Sequence, residues 1–171
     1  MEFSKYHAQF FTATILKWKN LLQEDKYKDI LVESLRFLVK EKSITVYAFV
    51  IMSNHIHLVW QIQAAHKKEN VQRDFLKFTG QMMKFDLKEN NSGLLEEFAV
   101  KTKDRQYQFW ERNALCIDLF SEAVMFQKIN YIHQNPVKAG LCKFSEEYKY
   151  SSAKFYETGI DDFGFLEHIK G

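Results

Sequence analysis

Proline is nearly absent from this chain: Pro136 is the sole example among 171 residues, and glycine occurs only 6 times. That scarcity excludes a loop-rich β-sandwich or a Gly-rich linker architecture and favours long helices and regular strands. Cysteine is almost as scarce. Cys116 and Cys142 are too few for a disulfide framework or a four-cysteine zinc site, and they fit a reducing, cytoplasmic setting. No long hydrophobic run exists either. The longest clearly apolar stretch, near Val46–Met52, is far short of the ~20 residues that a membrane span needs. Met1–Phe10 carries Glu2, Lys5 and His7 and so lacks a secretory apolar core. Charge of one sign is missing as well: a formal net charge of +2 does not by itself announce a nucleic-acid partner.

Aromatic residues, by contrast, are abundant at 16%, including 16 Phe, and a hydrophobic fraction of 46% supplies a sizeable core. The length suits one domain over 1–171, with a partly irregular tail from about residue 141. β-Branched and aromatic runs predict strands at Phe10–Leu16, Ile44–Met52 and Ile56–Ile62, the last two joined at Ser53-Asn54. Helical spacing of apolar residues marks Lys26–Lys42, Ala65–Glu89 and Asp118–Asn135, with Ser121 as a cap. A fourth strand falls at Tyr107–Arg112 or at Ala114–Ile117. The order β, α, β, β, α, β plus one helix predicts an α+β fold. Its expected form is a ferredoxin-like antiparallel sheet with two helices on one face and an additional helix on or beside the other.

Two segments stand out chemically. Within Asn54-His55-Ile56-His57-Leu58-Val59-Trp60, strand alternation puts His55 and His57 on one face and Ile56, Leu58, Trp60 and Ile62 on the other. Two imidazoles about 7 Å apart along a strand can converge on one ion. Histidines on a solvated sheet face need no ligand, so the pair alone admits both readings. The apolar face is expected to pack on the helices while the histidine face stays open. In the second segment, Lys128, Tyr131 and Asn135 share one side of a helix, whereas Met125, Ile129 and Ile132 form its packing stripe. Tyr131 therefore sits off the core. Pro136 pushes its predecessor out of helical geometry, which predicts a helix end at Asn135.

Together these segments resemble the single-tyrosine HUH transposases, specifically the REP-associated tyrosine transposases. The resemblance rests on Tyr47–Val59, which contains the His55-Ile56-His57 signature, on Tyr131–Leu141, and more weakly on Glu147–Ala153. It runs from about Tyr6 to Phe155. Ser53 stands where many members have proline, Tyr150 where an aromatic, often Trp, is usual, and Tyr107–Asp118 matches only loosely at Phe109-Trp110. The resemblance implies cleavage and joining of single-stranded DNA. His55 and His57 match metal ligands, Tyr131 the nucleophile that becomes linked to the 5′ phosphate, and Asn135 the polar residue completing the metal site. A mixed imidazole and amide set suits Mg²⁺ or Mn²⁺. Such an ion offsets the weakness of a phenol, whose ordinary pKa is about 10, by polarising the scissile phosphate. The implied partner is single-stranded DNA bearing hairpins, with no membrane, and the protein acts as a monomer or a homodimer.

Candidate DNA contacts fall in two groups. Lys67, Lys68, Arg73, Lys77, Lys84 and Lys88 run along the second helix, interspersed with acidic residues as on any solvated face. Lys101, Lys103, Arg105 and Arg112 cluster beside Tyr107, Phe109 and Trp110, aromatics that either stack bases or belong to the core. Two rival functions remain: a domesticated hairpin-binding protein that no longer cuts, and a metal-dependent phosphodiesterase that uses water and does not need Tyr131.

Overall fold

The computed structural model describes residues 8–171, so Tyr6, where the resemblance begins, lies outside the described residues. Strands β1 (Gln9–Thr14), β2 (Ile44–Ile51), β3 (His55–Ile62) and β4 (Leu115–Asp118) form one antiparallel sheet in the order β2-β3-β1-β4. Helices α1 (Asp25–Lys40) and α2 (Lys68–Asn90) make the two crossovers. The short α3 (Ser92–Glu96) follows α2, and α4 (Glu122–Lys138) and α5 (Ala153–Thr158) complete the chain. This is the ferredoxin-like α+β arrangement expected from the order of elements.

β1, β2 and β3 are covered on both faces, whereas β4 is largely exposed. Phe11, Ala13, Ile56, Leu58 and Trp60 pack under α1 and α2 with Leu31, Leu35 and Phe75. On the opposite face Phe10, Val50 and Val59 meet Met125, Ile129 and Ile132 of α4. The helical stripe read from the sequence is thus the stripe that packs, and each such side chain contributes about 1.5–3 kcal/mol when fully buried. A bulge between Val46 and Ala48 directs both Tyr47 and Ala48 to the α4 side. Of the two candidates for the fourth strand, the segment overlapping Ala114–Ile117 pairs with β1. Tyr107–Arg112 does not form a strand. Gln108, Phe109 and Trp110 are all buried, so strand alternation is lost; the segment meets the end of β1 through Glu111 N–H, which donates to Thr14, and a bridge from Trp110 to Ile15 just beyond it.

Two features hold α4 in place. At its start the Ser121 hydroxyl accepts from the Val124 N–H, as expected of a cap, and the Leu119 N–H donates to the Ala8 carbonyl. At its end the helix does not stop at Asn135 but passes through Pro136 to Lys138. Gly140 then adopts a φ of +75°, while Gly140 and Leu141 donate to the carbonyls of Val137 and Pro136. This pairing closes the last turn and satisfies its carbonyls, which supports a proline one turn from the end.

The tail is less irregular than its sequence suggests. It runs along the free edge of β2, where Ile51 N–H donates to Tyr150, Ser152 N–H to Phe49, and Glu167 N–H to Val46. An otherwise open sheet edge is covered in this way. No helix among the described residues is long and apolar enough to cross a membrane.

Candidate functional site

β3 places His55 and His57 on the face covered by α4, and α4 places Tyr131 above them. The two imidazole centroids are 4.6 Å apart, and the His57 ring lies 5.5 Å from the Tyr131 ring. Phe10 on β1 stacks on His57 at 5.3 Å and meets Tyr131 edge-on at 6.1 Å. Lys128 lies over Phe10 at 5.0 Å and Lys138 over Tyr131 at 6.0 Å. Tyr131 is 46% exposed. Asn135 is one turn further along α4 and half-buried.

The expectation of an open histidine face is corrected here. α4 and Phe10 cover that face, and His57 is only 6% exposed, while His55 is half-buried. The sequence marks α4 as an extra helix but carries no signal for how far it overlies β3.

Both rings are held through Nδ1. His57 Nδ1 lies 2.7 Å from the Thr12 hydroxyl, and His55 Nδ1 lies 2.7 Å from Asn54 Oδ1. The Nε2 of each ring is left for another partner, which is the pattern by which neighbouring groups orient imidazole ligands. Burial pushes the His55 pKa down. Burial also lowers His57, to about 3, with His55 and Lys128 adding to the effect. Both rings are therefore neutral at physiological pH, the form that ligates metals. Among the described residues no three His, Cys, Asp or Glu side chains converge as a metal cluster. An ion here would rest on two imidazoles, with the Asn135 amide as the remaining candidate. That donor set fits a weakly held divalent ion with open positions better than a closed structural zinc site.

One functional contact escaped sequence reading. His133, on the buried side of α4, shares a 2.7 Å hydrogen bond between Nε2 and the Ser152 hydroxyl, which also accepts from Phe49 N–H at 3.0 Å. It links the tyrosine-bearing helix to the tail and to β2. Its only sequence signal was that the second and third matched segments contain its two ends. Burial lowers the His133 pKa to about 4. The unfolded chain therefore binds more protons than the folded one between about pH 4 and the ordinary histidine value near 6.5, and stability falls as pH drops through that window. Chemical denaturation is expected to show a loss on the order of 2 kcal/mol from this group between pH 6.5 and 5. His133→Asn should flatten the pH dependence by that amount while lowering stability at neutral pH.

The basic residues divide differently from their order in sequence. Arg73, Lys77 and Lys84 of α2 face Arg105 and Arg112 across an open groove of about 810 Å³. Lys68 instead pairs with Asp118 at 3.7 Å beside β4, Lys67 precedes α2, and Lys101 and Lys103 are exposed on the loop before the groove. Phe109 and Trp110 belong to the core: Phe109 stacks on Phe98 at 5.0 Å, and the Trp110 indole N–H donates to Thr79 Oγ1 at 3.1 Å. All three border the groove, but Tyr107 is half-buried whereas Phe109 and Trp110 are buried.

Comparison with known proteins places this arrangement within a class of fold. No protein-family model matches the chain, and no curated protein matches it in sequence. Among solved structures the fold is shared by a REP-associated tyrosine transposase bound to a REP hairpin, with a TM-score of 0.66 and 16% identity over 96% of this chain and 87% of that one.

Proposed function

We propose that the protein cleaves and rejoins single-stranded DNA through a covalent 5′-phosphotyrosine, in the manner of a transposase acting on hairpin-forming repeats. The observation that carries this reading is the placement of an exposed tyrosine, Tyr131, with its ring 5.5 Å from that of His57, one of a neutral imidazole pair whose Nδ1 atoms are both already engaged. The shared fold with a transposase bound to a REP hairpin supports the choice of substrate.

In this reading Tyr131 Oη bonds to phosphorus as the bond to the 3′ oxygen breaks, leaving a 5′-phosphotyrosine and a free 3′ hydroxyl. The reverse step reseals a strand without ATP, because the phosphodiester is exchanged rather than hydrolysed. His55, His57 and Asn135 would hold a Mg²⁺ or Mn²⁺ ion, which supplies charge neutralisation and alignment of the phosphate when bound. Thr12 and Asn54 keep the imidazoles oriented. A single strand can kink between helix and sheet, whereas a duplex, about 20 Å wide and stiff, would have to melt first.

The test is a denaturing gel. Protein, Mn²⁺ and end-labelled hairpin-bearing single strands are expected to yield a protein–DNA adduct linked at the 5′ phosphate. Cut DNA without an adduct would indicate a water-using phosphodiesterase, and a native shift without cutting a binding protein. A 3′-linked adduct, or efficient cutting of blunt duplex, would overturn the stated polarity and substrate.

A further inference from the structure

Hydrogen bonds through Glu111, Lys17 and Asn54 connect the groove between α2 and residues 104–114 with an exposed tryptophan and, around the end of the sheet, with the imidazole pair on its other face. Five cations line the groove (Arg73, Lys77, Lys84, Arg105 and Arg112) against two carboxylates, Asp104 and Glu111. That surplus exceeds the formal net charge of +2 carried by the whole chain, so positive charge is concentrated here. Asp104 already pairs with Arg105 at 2.9 Å and lies 4.0 Å from Arg112. Glu111 is turned to another task, accepting from the Lys17 N–H at 2.6 Å. On α2, Arg73 to Lys84 spans about 16 Å of helix, enough to follow several successive phosphates of one strand.

Lys17 and Trp18 follow β1, with φ of 54° and 57° in the left-handed region that side chains avoid. This turn leaves Trp18 64% exposed. Its carbonyl accepts from Asn54 Nδ2 at 3.5 Å, and the other end of that amide holds His55. Groove, Glu111, Lys17, Trp18, Asn54 and His55 are thus linked in sequence. A large aromatic in a strained backbone, mostly exposed and joined through its carbonyl to the amide that holds His55, is poor packing but a suitable platform for an unpaired base.

Resting on the function proposed above, we infer that this path is a track for the single-stranded flank of the substrate: phosphates lie between Lys77, Lys84 and Arg112, and a base stacks on Trp18 as the strand turns toward His55. The concavity between a helix and a loop, with cations on both walls, suits one polyanionic strand. Double-stranded DNA would meet the rim only.

Tryptophan emission gives a direct readout, since Trp60 is fully buried and Trp110 nearly so. Titrating a 12-nucleotide oligo(dT) into the full chain is expected to quench emission and to shield Trp18 from acrylamide. Trp18→Phe should abolish the signal and largely keep affinity, whereas Trp18→Ala should weaken binding about tenfold. Lys77→Gln with Lys84→Gln should weaken binding and reduce the slope of log affinity against log salt by about 1.4, near 0.7 per phosphate contact. Binding without quenching, or a salt slope unchanged in the lysine variant, would overturn the track. An adduct at Tyr131 formed without any Trp18 response leaves the proposed reaction standing and removes the track. Quenching without an adduct does the reverse.

Discussion

Tyr131→Phe is expected to eliminate the protein–DNA adduct and to lower strand cleavage by roughly a thousandfold or more, while hairpin affinity stays within about twofold. The substitution removes one oxygen. The ring keeps its edge contact with Phe10 and its place beside His57 and Lys138. Tyr131 is 46% exposed and has no hydrogen-bond partner for its hydroxyl among the described residues, so stability should change by less than about 0.5 kcal/mol. Adduct formation by the variant, read on a denaturing gel, would mean that another residue attacks the phosphate.

The imidazole pair should respond asymmetrically. His57→Ala and His55→Ala are both expected to reduce Mn²⁺ affinity by about tenfold or more in a calorimetric titration, since each removes half of the nitrogen donors. Their stability costs should differ. His57 is buried, stacks on Phe10 and bonds the Thr12 hydroxyl. Its truncation leaves a void under α4 and a hydroxyl without its partner, together roughly 2 kcal/mol. His55 is half-buried and bonded to the adjacent Asn54, so its loss should cost less than about 1 kcal/mol. Equal stability losses would contradict the burial of His57 beneath α4, and unchanged Mn²⁺ binding in both variants would remove the metal site.

The difference between these two histidines marks the boundary of what the residues alone disclose. Strand alternation was enough to separate His55 and His57 from Ile56, Leu58 and Trp60, because a period of two is enforced by the backbone. The packing stripe Met125, Ile129, Ile132 was equally legible, and with it the outward position of Tyr131. Depth of burial was not, because it depends on where a helix 60 residues further along the chain comes to rest. Pro136 misled for a related reason. Its local preference to end the helix is overridden by the Gly140 turn and the buried contacts of α4. The pairing of Phe109 and Trp110 with α2 rather than with solvent was likewise a tertiary outcome, fixed by the Trp110 bond to Thr79 and the stacking of Phe109 on Phe98. The basic residues, scattered over 40 positions of sequence, acquire meaning only when α2 and residues 104–114 face each other.

The fastening of α4 at both ends has a kinetic corollary. Leu119 ties the segment before its start to Ala8, just ahead of β1, and His133 ties its later half to Ser152 on the β2 edge. Phenol and imidazoles are thereby brought together by segments of one polypeptide. The proposed reaction should consequently be first order in protein. Specific activity measured on serial dilution should remain level from micromolar to low nanomolar concentration, so that one molecule at one hairpin suffices to open a strand.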